Sequence, residues 1–357
     1  MNQKKNILVC PLNWGLGHAT RCIPIINILK ENGHKVIIAT SGNAFQLLKN
    51  TFPNDIFINF KDYNIKFPRG NVMIKKLFWQ LPKIFFRICL EHHRLKKIIR
   101  KFDIQTVISD NRFGLWNKKI HSVYITHQVQ IKSQENSIWQ EKLLLKIHSF
   151  FIKKYKTCLI PDYETGFRLA GELSNNRSIS GHSQYIGLLS RFEKKNVLFQ
   201  EEFDICAIIS GPEPQRSIFQ KILIEQIQQS NLKAVLFPGT TSEIFVDNFY
   251  KNIHIYSNAS IGDIQTCISK SRFVIARSGY STIMDLATLG KKAILIPTPG
   301  QTEQEYLASY LFERGYFYTQ KQQDFNLKTA FAKVNEYTGI FIPKDIEKLR
   351  SKILSSV

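Results

Sequence analysis

The sequence predicts an α/β protein built as two doubly wound units, each a parallel sheet flanked by helices. Short apolar runs of strand length alternate with segments of helical pattern, the signature of strand–helix–strand crossovers. The chain has 357 residues, a length that fits about two domains. The runs also fall into two series with a polar stretch between them. With 43% hydrophobic residues, including 26 Phe and 13 Tyr, there is material for two cores, and intrinsic disorder is excluded as the main state.

In the first series the expected strands are Asn6–Leu12, Lys35–Thr40, Thr106–Ser109, Val123–Thr126 and Thr157–Pro161, with helices over Thr20–Asn32, ended by Gly33, and Ser41–Asn50. In the second they are Ile205–Ser210, Ala234–Pro238, Ile253–Tyr256, Phe273–Ala276 and Ala293–Pro297, with helices over Arg216–Ser230, Gly262–Ser269, Ser281–Leu289 and Thr302–Glu313. Residues 1–188 and 189–342 are the expected domains, with a linker near Gly187–Asn196. Residues 343–357 read as a capped amphipathic helix that packs back on the first domain.

The first strand runs into Asn13-Trp14-Gly15-Leu16-Gly17-His18. Gly15 and Gly17 let the backbone turn sharply and present helix-start N–H groups to an anion or a sugar. A dinucleotide fingerprint would carry a third Gly or Ala at Thr20 and an acid closing the second strand, which ends Ala39-Thr40-Ser41-Gly42 instead. His18 stands at a strand's carboxyl end, where open α/β sheets bind ligands, and could serve as a general base or simply cap its helix. Asp110, in VISDNRFG, could orient His18 or cap the next helix. Arg112 follows it, and His127 ends another strand on the same edge, so both are candidates for the acceptor side.

In the second series Arg277-Ser278-Gly279-Tyr280-Ser281 follows a strand directly. Small residues and hydroxyls at a helix N-terminus suit a diphosphate, and Asp285 lies one helical turn on, within reach of ribose hydroxyls. Gly211 and Arg216, after the opening strand of this series, offer a second phosphate loop. Gln304 and Glu305 belong to the polar run after Pro297, whose carboxylates and amides suit a polyhydroxylated ligand.

Six cysteines at 10, 22, 89, 158, 206 and 267 show no metal-ligand spacing and read as reduced, mostly buried thiols. The 49 Lys and Arg exceed the 28 Asp and Glu, a net charge of +21, and residues 61–101 hold twelve Lys and Arg against two acids. That stretch also carries large apolar residues, too interrupted to span a bilayer. It reads as a segment lying on an anionic membrane surface, with KLLLKIHSFFIKKYK from Lys142 to Lys156 as a second candidate. Nucleic acid is the less favoured partner, because no nucleic-acid motif is present. Without a signal-peptide pattern, the expected location is cytoplasmic, peripheral at the inner face of the cytoplasmic membrane.

Taken together, GLGH, SGPEPQR and RSGYSTIMDLATLGKKAILIPTPGQTEQEYLA resemble GT-B fold glycosyltransferases of family 28, relatives of the undecaprenyl-linked peptidoglycan N-acetylglucosaminyltransferase rather than that enzyme itself. The likeness is strongest over Ile261–Ala308. It implies two Rossmann-like domains facing an interdomain cleft and inverting transfer of a sugar from a UDP donor to an acceptor hydroxyl, with no cofactor and no essential metal. By the same likeness Ile261 would meet the uracil through its backbone and Asp285 would replace the family's ribose-binding Glu. Ser278, Gly279, Ser281 and Gly211 would line the diphosphate, and Gln304 and Glu305 would hold the donor hexose. His18 matches the family's first-loop histidine. The acceptor expected from this likeness is lipid-linked. A UDP-sugar epimerase of the same fold, or a basic RNA-binding or membrane-adaptor protein with a vestigial cleft, are the alternatives.

Overall fold

The computed structural model describes residues 4–63, 73–132, 138–194, 199–239, 251–256 and 259–357, and over 73–81 the backbone only. Two compact units emerge. Residues 1–14, 18–189 and 345–357 form the first, and residues 15–17 with 190–344 form the second.

The first unit is a seven-stranded parallel sheet. Its strands are β1 (Asn6–Pro11), β2 (Lys35–Thr40), β3 (Ile56–Asn59), β4 (Thr106–Asp110), β5 (His121–Ile125), β6 (Thr157–Ile160) and β7 (Ser183–Tyr185), in the spatial order β3-β2-β1-β4-β5-β6-β7. The central strands are buried along almost their whole length, as a sheet covered on both faces requires, so they read as continuous apolar runs. The helices are α1 (Gly17–Glu31), α2 (Gly42–Thr51), α3 (Met73–Phe102) and α4 (Ile138–Ile152). On one face Leu95 and Ile98 of α3 pack against Leu8, Cys10, Ile37 and Val107.

The second unit is a six-stranded parallel sheet of β8 (Phe203–Ile208), β9 (Ala234–Phe237), β10 (Ile253–Ile255), β11 (Ser271–Ala276), β12 (Ala293–Leu295) and β13 (Tyr318–Thr319), ordered β10-β9-β8-β11-β12-β13. Its helices are α5 (Gln215–Gln228), α6 (Ile261–Ser269), α7 (Tyr280–Leu289), α8 (Thr302–Glu313) and α9 (Leu327–Lys333). Phe219 and Leu223 of α5 join Ile205, Leu236, Ile275 and Ile294 of the sheet in one core. Gly290 ends α7 at φ +66°, where a side chain would also come within 3.3 Å of Phe341. The final helix, α10 (Ile346–Ser355), belongs to the first unit, where Arg350 pairs with Glu31 at 2.6 Å and Lys5 reaches the Val357 carbonyl at 2.6 Å.

Both sheets reverse their winding once, between β1 and β4 and between β8 and β11. At such a switch point the loops leave in opposite directions and open a crevice at the strands' carboxyl ends. His18 and Asp110 flank the first switch point; Gly211 and Arg277–Gly279 flank the second.

Several elements differ from expectation. α1 begins at Gly17 rather than Thr20, because glycine's poor helix propensity hides a helix start. β3, β7 and β13 are short edge strands whose exposed or half-buried positions break the apolar pattern. α3 runs through Pro82, a residue that reads as a helix breaker. Of the basic stretch, Lys66 and Arg69 and the side chains of 73–81, Trp79 among them, lie outside the described residues, as do residues 195–196 of the linker. All six cysteines are free and only Cys89 is exposed; burial pushes the Cys10 thiol up to about 12. Among the described residues no helix is long and apolar enough to cross a membrane.

Candidate active site

Register aligns Pro11 of β1 with Asp110 of β4, and the Leu12 amide donates to the Asp110 carbonyl at 3.1 Å, so the chain leaves β1 beside the end of β4. His18 lies in the first turn of α1 and Arg21 one turn further on the same face. Both converge on Asp110, whose carboxylate is fully buried. His18 Nδ1 is 2.7 Å from Oδ1, Arg21 Nε donates to Oδ2 at 2.5 Å, and Arg21 Nη2 donates to Oδ1 as well. Burial alone would raise this carboxyl, but Arg21 and His18 outweigh it and hold Asp110 well below the usual carboxylate range.

The remaining Arg21 nitrogen, Nη1, lies 2.9 Å from His127 Nδ1. A guanidinium only donates, so His127 Nδ1 is the acceptor and a neutral His127 carries its proton on Nε2. His18 Nδ1 lies 2.7 Å from Asp110 Oδ1 and 2.9 Å from Arg21 Nη2; the shorter contact, to a carboxylate that only accepts, favours a proton on Nδ1 and a lone pair on Nε2. With His18 in that form, the two histidines around the Arg21–Asp110 pair hold opposite tautomers. An imidazole steered by a buried carboxylate, with Nε2 basic, has the arrangement of a general base for a hydroxyl.

Arg112 does not join this group. It is fully buried, with Nη1 2.6 Å from Asp62 Oδ1, Nε 2.8 Å from Glu91 Oε1 and Nη2 2.7 Å from the Lys61 carbonyl. Its guanidinium thereby fastens the segment after β3 to α3.

In the second unit, the loops after β8, β11 and β12 meet. Arg277 is buried and its guanidinium donates to the Ser210, Ile296, Pro297 and Gln215 carbonyls and to Gln322 Oε1, at 2.7–3.4 Å, while stacking on Phe219 at 4.2 Å. None of these partners is anionic. Burial pulls its pKa down to about 10, which leaves it charged at neutrality. Ser278 Oγ donates to the Gln304 carbonyl at 2.7 Å, and Gln304 Oε1 accepts from the Thr298 amide at 2.8 Å, stitching two loops together. α7 then starts with Gly279 as N-cap, which brings no capping side chain, and Ser281 in its first turn.

Thr298 is 1% exposed and its Oγ1 has no hydrogen-bond partner. It faces Gly211, which sits at φ +114°, with a Cβ there 3.4 Å from Oγ1. A buried hydroxyl left unpaired costs roughly 1–3 kcal/mol. Arg277, the uncapped α7 start and this hydroxyl therefore gather around one small-residue corner, with positive potential and an unspent donor.

The other expected donor residues are placed as follows. Arg216 pairs with Glu213, bonding at 3.0 Å through Nε. Glu305, exposed at the α8 start, accepts from the Gly300 amide at 2.9 Å. Ile261 is the first residue of α6, whose start is set by a capping box between Ser260 and Asp263. Asp285 accepts from Ser190 Oγ at 2.7 Å and from Arg191 Nε at 3.2 Å, so its oxygens hold the chain just after the junction between the units; ribose recognition there would have to share those bonds.

Residues 213–338 match the glycosyltransferase family 28 C-terminal domain. An uncharacterized glycosyltransferase of Methanosarcina acetivorans is 24% identical, with 87% of this chain and 83% of the relative covered. A UDP-N-acetylglucosamine–N-acetylmuramyl-(pentapeptide) pyrophosphoryl-undecaprenol N-acetylglucosamine transferase of Finegoldia magna is 29% identical over 40% of this chain and 42% of its own. Among solved structures, the spinosyn rhamnosyltransferase SpnG complexed with thymidine diphosphate superposes with a TM-score of 0.62 at 13% identity, covering 98% of this chain and 95% of the other. The chain is a glycosyltransferase of the GT-B fold.

Within this glycosyltransferase, the residue that sequence reading passed over is Arg21. The run that contains it was legible as a loop and helix start, but its role depends on Asp110, 89 residues away. The one local signal was its three-residue spacing from His18 on a helix. Likewise, nothing near Arg112 announces Glu91 as its partner. The glycosyltransferase's second-unit loops needed no such distant information, because Ser278, Gly279 and Gly211 follow strand ends directly.

Proposed function

We propose that the enzyme transfers a hexose, N-acetylglucosamine or a relative of it, from a UDP donor to a hydroxyl of a lipid-linked acceptor, inverting the anomeric configuration without a metal. The observation that carries this reading is His18 Nδ1 at 2.7 Å from the buried Asp110 carboxylate, which favours a proton there and a lone pair on Nε2. His18 takes the acceptor proton as the hydroxyl oxygen attacks the anomeric carbon. The bond from that carbon to the diphosphate breaks on the opposite face, and UDP departs with the electron pair. The leaving charge meets the α7 N-terminus and the field of Arg277, which supply the stabilisation a cation would otherwise give. Gly211, Ser278, Gly279 and Ser281 line the diphosphate in this reading, and Ile261, Gln304 and Glu305 contact base and sugar.

Support for the donor comes from the family 28 match over residues 213–338 and from the UDP-sugar named for the Finegoldia magna relative; support for a lipid acceptor comes from the same relative. The first unit adds a surface argument. Phe85, Phe86 and Leu90 of α3 and Ile138, Trp139, Leu143 and Phe150 of α4 are exposed, with the Phe85 ring 5.9 Å from that of Phe151 and tilted 48° to it. Lys83, Lys142, Lys146, Lys153 and Lys154 lie among them in sequence. Large apolar side chains among lysines suit an anionic bilayer surface.

A thermal-shift screen with UDP, UMP and GDP, followed by transfer from UDP-sugars to extracted lipids, tests the reading. Stabilisation by UDP and labelled lipid product are expected. No nucleotide response, or full turnover in His18→Ala, would sink it, and release of an isomerised sugar from donor alone would turn it toward an epimerase.

A further inference from the structure

Beside the ion-pair network of Arg112 lies a cavity of about 250 Å³, opening between α3 and the segment that follows β3. Lys61, Arg87, Leu90, His93, Arg94 and Lys97 line it. On α3 the positions 87, 90, 94 and 97 recur every three or four residues and so form one stripe. Four permanent cations therefore face one small space. The two carboxylates that also reach it, Asp62 and Glu91, are both held by Arg112, and Tyr63 donates to Glu91 at 2.7 Å. Among the described residues, Arg112 offsets one of the two acidic charges, and the four lining cations outnumber the one that remains.

Arg94 is also prepared for an anion. Its Nη2 donates to the Asn59 carbonyl at 2.6 Å and its guanidinium lies 4.7 Å over the Phe60 ring. A guanidinium already held flat loses little freedom on gripping a phosphate. Leu90 is 44% exposed, and Phe86, exposed too, is one turn back on the same helix. The cationic pocket consequently opens onto an apolar edge, the arrangement of a headgroup and its chain.

We infer that this pocket is a phosphate-binding site, and that its occupant is the phosphate headgroup of an amphiphile whose chain lies along Phe86 and Leu90. It is separate from the donor corner of the second unit and from the His18–Asp110 pair. The lipid source rests on the membrane-surface reading above; phosphate recognition itself does not.

The test uses the full chain and vesicles of phosphatidylcholine carrying either phosphatidic acid or a fatty acid at equal surface charge. A parallel titration with inorganic pyrophosphate in solution covers the lipid-free case. Arg87→Gln/Lys97→Gln is compared with Lys142→Gln/Lys146→Gln on α4, each first checked to melt like the parent. The parent should prefer phosphatidic acid, and the pocket pair should weaken that binding roughly 30-fold, from about 1 kcal/mol per cation, while the α4 pair weakens it several-fold less. Equal losses from the two pairs would overturn the pocket and leave the membrane reading intact. Pyrophosphate binding that depends on Arg87 and Lys97, without vesicle binding, would keep the pocket and remove the lipid. If neither ligand depends on that pair, the inference is wrong.

Discussion

Arg21 donates to His127 Nδ1 at 2.9 Å while its Nε and Nη2 hold Asp110, so the His127 Nδ1 lone pair is taken by the arginine, whereas His18 Nδ1 also meets the carboxylate at 2.7 Å. His18→Ala should lower kcat by about 10²–10⁴. His127→Gln, whose carbonyl can still accept from Arg21, should stay within a few-fold of the parent. Steady-state transfer kinetics check both, and the reverse ranking would make His127 the base.

Asp110→Asn removes the counter-charge of a buried arginine. Loss of one partner of such a pair costs about 3–5 kcal/mol. The native carboxyl lies below the value near 4 of an unfolded chain, so its stabilising effect is present above about pH 4 and is lost as pH falls toward the depressed native value. Urea melts should show the full gap between parent and variant at pH 7 and a narrowing gap below about pH 4. A gap that does not change with pH would contradict the pairing.

Arg277→Lys keeps the charge and should still fail. A lysine has three donors on a point charge and cannot reach the five acceptors that the guanidinium fork spans. With roughly 1–3 kcal/mol for each buried acceptor left unpaired, the second unit should lose about 3 kcal/mol or more. The donor KM should rise about tenfold as the loops loosen. Melting curves with and without UDP measure both.

Thr298→Val separates a donor contact from a packing role because its two effects have opposite signs. Removing an unpaired buried hydroxyl should leave the nucleotide-free protein as stable or stabilise it by about 1 kcal/mol. Losing a hydrogen bond to a charged phosphate should weaken UDP binding about tenfold or more. Calorimetric titration beside thermal melts reads the two together, and lower stability with unchanged UDP affinity would assign Thr298 to packing.

The reading also predicts that EDTA leaves the transfer rate unchanged within about a factor of two. A tenfold loss restored by a divalent cation would replace the α7 N-terminus with a metal as the partner of the leaving diphosphate.

Much of this architecture was legible in the residues because the central strands are buried on both sides, so Ile7–Cys10 and Phe273–Ala276 show as unbroken apolar runs. The same burial made the corner proposed for the donor readable: Gly211 and Ser278–Gly279 stand where such runs stop. Long-range pairing had no such signature. Asp285 looks like an open ribose contact until Ser190, 95 residues earlier, is seen to hold it. Arg112 looks like a ligand group until Asp62 and Glu91 close around it. Edge strands such as Ser183–Tyr185 are too short and polar to stand out from loops.

One feature of chain order remains consequential. Because α10 joins the first unit from residues 345–357 while residues 190–344 belong to the second, the first unit is made of segments that are not synthesised consecutively. During translation, the part of the second unit from residue 190 onward is made before the first unit receives its last helix. A ribosome stalled near residue 344 would have made almost all of the second unit while the first, which bears His18, still lacked α10.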